Sequence, residues 1–265
     1  MKRLPRKRFG QNFLKDNRVI EEIITAFNPK LDDHIIEIGP GLGALTTPLM
    51  PLAAHLYLIE IDRDLTSDLT TIFMHTPTVT IHTNDALKFD FSTLPTPQNQ
   101  AKKFRIIGNL PYNISTPLIF HLLKFMPLIA DMHFMLQKEV VERLCATPNT
   151  PAFGRLSLML QYYCKATPLF TVKPEAFFPK PKVQSQIVRL VPHETLPYPV
   201  NSLQRLREIT TTAFNHRRKT LANALKTYFN ANDFKQLNID ATKRPENFSL
   251  EDYAKMANFK QDVQA

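Results

Sequence analysis

Asn109, Leu110, Pro111 and Tyr112 stand in a row directly after the apolar run Phe104-Arg105-Ile106-Ile107-Gly108. The row has a chemical reading. The Asn109 carboxamide oxygen and the Leu110 carbonyl, which precedes a proline, can accept two hydrogen bonds from one amino group. The Tyr112 ring can stack on the planar base that carries that group. Such an arrangement would hold the exocyclic amine of adenine for methylation. The structural alternative is a strand end with a proline turn and a core tyrosine.

Three further groups recur upstream at a fixed rhythm. Gly39, Glu60, Asp85 and Asn109 follow one another at intervals of 21, 25 and 24 residues, each about one strand–helix unit. Each stands at or near the end of an apolar run: His34–Ile38, Leu56–Ile59, Val79–His82 and Phe104–Ile107. The intervening segments, such as Arg63–His75 and Thr116–Phe125, are long enough for crossover helices. A fifth strand is expected over Met132–Leu136. This alternation predicts an α/β fold with a parallel, doubly wound sheet. In such sheets ligands bind outside the carboxyl ends of the strands, so all four groups would face one crevice.

Each group then has a job. Gly39-Pro40-Gly41-Leu42-Gly43 lets the backbone approach a ligand closely, and the helix expected after it would offer its N-terminus. Glu60 is placed to accept from two ribose hydroxyls, and Asp85 from an adenine amine. Two cofactors compete for this set. Gly39-x-Gly41-x-x-Ala44 with Glu60 also fits a dinucleotide fingerprint. A dinucleotide leaves Asp85 and Asn109–Tyr112 without a role, whereas S-adenosylmethionine employs all of them. Helix capping by Glu60 and Asp85 is the structural alternative for either acid alone.

Later elements differ in pattern. A helix is expected over Leu156–Tyr163. Ala166–Val172 and Gln186–Val191 read as strands joined by the proline-rich Pro174–Pro181, forming an antiparallel hairpin at the sheet edge. Beyond Pro192 the pattern is helical. A boundary near residue 195 is expected, with a catalytic domain at 1–195 and a small all-α domain at 196–265.

Charge and composition narrow the partners. The net charge of +9 is gathered in two places. Residues 1–18 hold seven cations (Lys2, Arg3, Arg6, Lys7, Arg8, Lys15, Arg18) against Asp16, and residues 201–230 hold six against Glu208. Positive charge so concentrated points to a polyanion. No apolar run reaches the ~18–20 residues that span a bilayer, and the basic N-terminus lacks the apolar stretch of a signal peptide. Cys145 and Cys164 have no metal or redox spacing and read as reduced thiols of a cytoplasmic protein. The eight histidines are scattered, so no metal site is expected. A monomer is expected.

With these motifs in view, the chain resembles the ribosomal RNA adenine N6-methyltransferase family along essentially its whole length. It is most similar to the branch that dimethylates two adjacent adenosines in the 3′-terminal hairpin of small-subunit ribosomal RNA. Gly10-Gln11-Asn12-Phe13-Leu14 resembles the family's N-terminal motif, which implies that Asn12 and Leu14 touch the cofactor. Glu37–Thr46 resembles its glycine motif, and Asn109–Ser115 its catalytic motif. Phe177-Phe178-Pro179-Lys180-Pro181-Lys182-Val183-Gln184-Ser185 resembles its Phe-x-Pro-x-Pro-x-Val-x-Ser segment, which implies that Phe177 stacks the target base opposite Tyr112. Phe214–Thr220 resembles a basic motif, which implies RNA contacts at Arg217, Arg218 and Lys219. His216 departs from a common Gln, and Phe153 from a Tyr that often precedes Gly154-Arg155-Leu156-Ser157. The resemblance implies a Rossmann-like class I methyltransferase sheet, S-adenosylmethionine as donor, and the assembling small subunit as partner. Methylation of large-subunit RNA, and a non-catalytic assembly or transcription factor on the same fold, are the alternatives.

Overall fold

The structure is a computed structural model that describes residues 10–95 and 103–259. The basic arm Lys2–Arg8 lies outside the described residues. The chain forms two units. Residues up to Val141 and Thr167–Pro192 make the first; Glu142–Ala166 and residues from His193 onward make the second.

In the first unit the strands are β1 (Phe13–Leu14), β2 (His34–Ile38), β3 (His55–Glu60), β4 (Val79–Thr83), β5 (Phe104–Asn109), β6 (Ile129–Gln137), β7 (Cys164–Val172, entering from the second unit), β8 (Phe177–Phe178) and β9 (Ser185–Pro192). Its helices are α1 (Asn17–Phe27), α2 (Thr46–Leu49), α3 (Arg63–Phe73) and α4 (Ser115–Leu122), and α5 (Lys138–Leu144) leads out of it. The main sheet has seven strands in the order β4-β3-β2-β5-β6-β9-β7. β2 pairs in parallel with β3 on one side and β5 on the other, and β6 pairs in parallel with β5. β9 runs antiparallel to β6 and lies between it and β7. The expected parallel sheet with an antiparallel edge is present.

The strand sequences explain this placement. Ile35, Ile36 and Ile38 in β2, Leu56, Leu58 and Ile59 in β3, and Ile106 and Ile107 in β5 are all buried. Continuous rather than alternating apolar runs are what a sheet covered on both faces requires. α1 buries Ile23 and Phe27 from an amphipathic face. Asp16 caps its first turn by accepting from the Arg18 N–H, and Asn28 ends it in the left-handed conformation. β2 lies where the strand order reverses, with β3 and β4 on one side and β5 and β6 on the other, so a crevice opens between the ends of β2 and β5.

One side chain ties the opposite end of these strands together. The Arg105 guanidinium bonds both oxygens of Asp131 at 2.8 and 3.0 Å and Asp33 Oδ2 at 2.8 Å. It also donates to the carbonyls of Phe27 and Asn28, at the close of α1, and lies 4.2 Å over the Phe27 ring. A planar fork with five donors is suited to this task, and an ammonium is not. Burial alone would raise the Asp131 carboxyl, but His133 and Arg105 hold it well below the usual carboxylate range.

The second unit is helical. It holds α6 (Arg155–Tyr163), α7 (Leu203–Asn215), α8 (Leu221–Ala224), α9 (Ala231–Gln236) and α10 (Leu250–Asn258). α7 packs on α6 and α10 through Leu206, Ile209, Ala213, Tyr253 and Met256, all fully buried. Asn230 with Asp233 and Ser249 with Asp252 form reciprocal caps at the starts of α9 and α10. The units do not divide at a single boundary near 195. Glu142–Ala166 joins the C-terminal helices because α6 is apolar on several sides, burying Leu156, Leu158, Met159, Leu160 and Tyr162.

Arg105→Ala is expected to lower unfolding free energy by about 3–5 kcal/mol, because Asp131 loses its bidentate partner while staying buried. Arg105→Lys should recover only part of this. The Asp131 contribution is present at neutral pH and is lost as pH falls through its depressed native pKa. Urea unfolding of the two variants at pH 7 tests the ranking.

Candidate active site

A cavity of about 350 Å³ opens at the carboxyl ends of β2, β3 and β5. Asn12, Leu14, Gly39, Gly41, Glu60, Asp85, Asn109, Leu110 and Tyr112 all line it. Gly39, Glu60, Asp85 and Asn109 thus share one crevice, as their spacing predicted, and Asn12 and Leu14, pointed to by the resemblance, line it too.

The glycine turn leaves β2 with Gly39 at φ 69° and Gly41 at φ 59°, where a side chain is strained. A Cβ on Gly41 would also meet the Phe13 ring at 3.2 Å. The helix expected after the turn is short. α2 holds four residues and tightens into a 3-10 turn at Met50–Leu52, where Pro51 stands. The N-terminus of so short a helix contributes little, and the turn's own backbone carries the approach to a ligand.

Glu60 ends β3 and is 5% exposed. Gly41 N–H donates to its Oε2 at 3.2 Å, and the N–H groups of Ile61 and Asp62 donate to Oε1 at 2.9 and 3.0 Å. Burial raises its pKa, and these three backbone donors oppose the rise. The result is a carboxylate fixed in orientation at the cavity wall. Asp85 follows β4. Its Oδ1 accepts from the Leu87 N–H at 3.0 Å, which leaves Oδ2 for a ligand.

Glu37 is a lining residue that the sequence reasoning did not single out. It is 2% exposed, and its Oε2 accepts from Thr46 Oγ1 at 2.6 Å. Burial outweighs that bond, and with the Glu60 charge nearby the Glu37 pKa is pushed up to about 7. The signal was available: an acid inside an otherwise apolar strand needs a reason to be there.

The row Asn109–Tyr112 is held from both sides. Leu110 is buried, and its N–H donates to the Met135 carbonyl at 3.3 Å. Asn109 Nδ2 donates to the Asn12 carbonyl at 2.9 Å. That bond engages the amide's donor side and leaves Oδ1 as the free face of the carboxamide. Tyr112 is half-buried, with its hydroxyl 2.7 Å from Ser185 Oγ.

Asn12 thus acts through its backbone, from a segment that spans the cavity. Gln11 donates to Asp62 at 3.2 Å, Lys15 N–H donates to the Ala176 carbonyl, and Phe13 and Leu14 pair with Phe178 and Phe177. This pairing fixes the position of Phe177, the residue expected to stack the target base. Phe177 is 2% exposed, lies off the cavity wall, and packs in the core with Leu14, Phe27, Met135 and Ile187. Strand alternation turns its neighbour Phe178 outward instead, 52% exposed.

In the second unit the basic row splits by role. Arg217 Nη2 donates to the Pro151 carbonyl at 2.7 Å, and its Nε lies 3.6 Å from Glu246 Oε2. It ties the 149–151 loop to the turn before α10. Arg218 and Lys219 are exposed. Among the described residues no helix is long and apolar enough to cross a membrane, and no group of three or more His, Cys, Asp or Glu side chains could hold a metal.

A mostly parallel seven-stranded sheet with an antiparallel strand inserted at one edge, and a cavity walled by a glycine turn and strand-end acids, define a class I methyltransferase. The solved dimethyladenosine transferase from Plasmodium falciparum superposes with a TM-score of 0.79 at 28% identity, covering 92% of this chain and 95% of that one. The 23S rRNA methyltransferase ErmE shares the fold, with a TM-score of 0.73 at 21% identity over 92% of this chain and 98% of its own. Residues 3–262 match the family described as ribosomal RNA adenine dimethylase. The chain belongs to that family. Its relatives include proteins named ribosomal RNA small subunit methyltransferase A, from Pasteurella multocida at 54% identity and from Haemophilus influenzae at 52%. Each alignment covers 97% of this chain, with 90% and 91% of the relative's length.

The raised Glu37 pKa carries a sign. An acid that titrates near 4.5 when unfolded and near 7 when folded makes ionisation costly to the native state. Stability should fall from pH 4.5 to pH 7 and level off above. Glu37→Gln, which can still accept from Thr46, is expected to gain up to about 3 kcal/mol at pH 8 and almost nothing at pH 4.5. Urea unfolding at the two pH values reads the difference directly.

Proposed function

We propose that this chain transfers methyl groups from S-adenosylmethionine to N6 of two adjacent adenosines in the 3′-terminal hairpin of small-subunit ribosomal RNA. It would do so as a monomer in the cytoplasm, on the assembling subunit. The observation that carries the reading is the Asn109 carboxamide, pinned through Nδ2 so that Oδ1 and the Leu110 carbonyl are left to receive one amine. The relatives named for the small subunit favour that RNA over the large-subunit alternative.

The residues present fit the donor. Glu60 would take the ribose hydroxyls on a carboxylate already aimed by three backbone N–H groups, and Asp85 the adenine amine. Asn12, Leu14, Gly39 and Gly41 would enclose the remainder. Bound there, S-adenosylmethionine supplies an electrophilic methyl group on its sulfonium.

The chain's own contribution is directed at a poor nucleophile. The adenine N6 lone pair is delocalised into the ring. Two acceptors, Asn109 Oδ1 and Leu110 O, favour a pyramidal nitrogen and stabilise the positive charge that develops on it. Because both are fixed before the reaction, little reorganisation is needed. Tyr112 would hold the unstacked base by its face, an interaction worth about 1–3 kcal/mol. Phe177 supports the wall from behind by packing on Leu14. No general base is required before attack, since the methylated nitrogen becomes acidic and sheds its proton afterwards.

Arg218 and Lys219 would contact RNA phosphates, together with the arm Lys2–Arg8. Arg217 serves mainly to brace the loop beneath them.

Two outcomes test the reading. Asn109→Ala is expected to abolish methylation of undermethylated small subunits while donor affinity changes by less than about threefold, the pattern of a group that acts in the transition state. Nucleoside analysis of the wild-type product should show dimethyladenosine in small-subunit RNA. Label in large-subunit RNA alone, or turnover by Asn109→Ala, would sink the assignment. Separately, replacing Arg218 and Lys219 with Ala should reduce the slope of log affinity against log salt by about one unit for each phosphate that is no longer neutralised. An unchanged slope would return both residues to a solvated face.

A further inference from the structure

The proposed chemistry leaves one interaction at the site unexplained. Tyr112 lines the cavity, and its hydroxyl is engaged by Ser185 Oγ, 2.7 Å distant, a group that the proposed chemistry does not use. Ser185 is fully buried at the first position of β9. It is locked there by the sheet, since Ser185 pairs with Gln137 at the end of β6. The next residue out, Gln184, accepts through its carbonyl from the Lys138 N–H at 3.0 Å. The serine is therefore a rigid anchor, set by strand register rather than by a loop.

A hydrogen bond at the far end of a tyrosine has a definite mechanical effect. The hydroxyl lies on the ring's long axis, about as far from the backbone as the side chain reaches. Fixing it stops the swing about χ1 that would carry the ring sideways. The bond also favours one ring plane, because a phenol prefers its partner near that plane. Tyr112 would otherwise be free to move, being only half-buried. The other end is restrained too: Ser115 Oγ donates to the Tyr112 carbonyl at 3.1 Å. The platform is thus clamped at backbone and tip.

We propose that Ser185 is a positioning residue for methyl transfer, holding the Tyr112 ring in the place that presents the adenine amine to Asn109 Oδ1 and Leu110 O through both methyl additions. The proposal deepens the function above and rests on it. After the first transfer the base carries one methyl group. It must turn its amine about the C6–N6 bond, or leave and return, before its one remaining N–H can meet an acceptor and the nitrogen lone pair, free again once the first proton is shed, can face the methyl group of a fresh donor. A fixed platform keeps the base in register during that interval. A loose one lets it depart after one addition. An error of about 1 Å in placement is enough to cost catalysis heavily.

The test uses the full-length protein, donor, and an excess of undermethylated small subunits. Ser185→Ala and Tyr112→Phe each remove the same bond from one side. Each is expected to lower kcat/KM for the subunit roughly three- to tenfold, the size of a single hydrogen bond. The double variant should be no worse than the poorer single one. Ser185→Cys, close in size with a weaker hydrogen-bonding sulfur, should fall between. The decisive reading is the early product ratio. Monomethyladenosine should rise relative to dimethyladenosine in both single variants, with donor affinity unchanged and with any fall in thermal midpoint leaving both proteins folded at the assay temperature. A purely structural role would reduce the amount of active protein and leave that ratio where it was. An unchanged ratio, additive losses in the double variant, or a Ser185→Ala protein as fast as wild type would each overturn the role of Ser185 alone. Wild-type protein that methylates no adenine N6 would overturn the function itself, and this role with it.

Discussion

The site depends first on how closely β2 and β5 can run. The two strands pair in parallel where the sheet order reverses, and their ends deliver the glycine turn and Asn109 to the same place. Gly108 makes this possible. A Cβ at that position would stand 2.6 Å from the Ile38 carbonyl, a backbone atom that cannot yield cheaply. At the next step, a Cβ on Gly39 would lie 3.9 Å from the Asn109 carbonyl. The distance between the glycine turn and the Asn109–Leu110 carbonyls is therefore a consequence of strand packing. Arg105 secures the other end of the same strands through Asp33, Asp131 and the close of α1.

The cavity built on that frame carries an electrostatic cost. Glu37 and Glu60 are both buried at its floor, and the Glu60 charge adds to the difficulty of ionising Glu37. Glu60 is compensated by three backbone donors and stays oriented. Glu37 has one hydroxyl partner and gives way, taking up its proton more readily. A polar, cationic ligand entering this floor would relieve the imbalance, which is a physical reason to keep two acids where the fold alone would prefer none.

Much of this was legible in the sequence, and the unread parts share a cause. The main strands, the row Gly39, Glu60, Asp85, Asn109, and their shared crevice followed from periodicity and spacing, because parallel sheets bring strand ends together regardless of side-chain detail. The resemblance drew attention to Asn12, but not to its backbone carbonyl as the group that pins Asn109, since any residue type supplies a carbonyl. It pointed to Phe177 for stacking. The two adjacent phenylalanines cannot be ranked without knowing that β8 pairs with β1 and which face that register turns inward. Arg217, Arg218 and Lys219 read as one basic cluster; only the Pro151 and Glu246 contacts separate the brace from the exposed pair. Each miss concerns orientation, which is set by long-range pairing.

That pairing also explains why the row Asn109–Tyr112 needs so little of its own. Asn109 and Tyr112 lie three residues apart on one turn, and each has its polar end held by a group outside it: the Asn12 carbonyl and the Ser185 hydroxyl. The segments that supply these groups are joined by the β1–β8 ribbon and by the Lys15–Ala176 bond. A short ribbon of two residues per strand would not persist alone in water. Here its inward faces, Leu14 and Phe177, are buried in the core beside α1 and β6. Hydrophobic burial of Leu14 and Phe177 on one side of the ribbon thus fixes polar geometry at the turn it flanks.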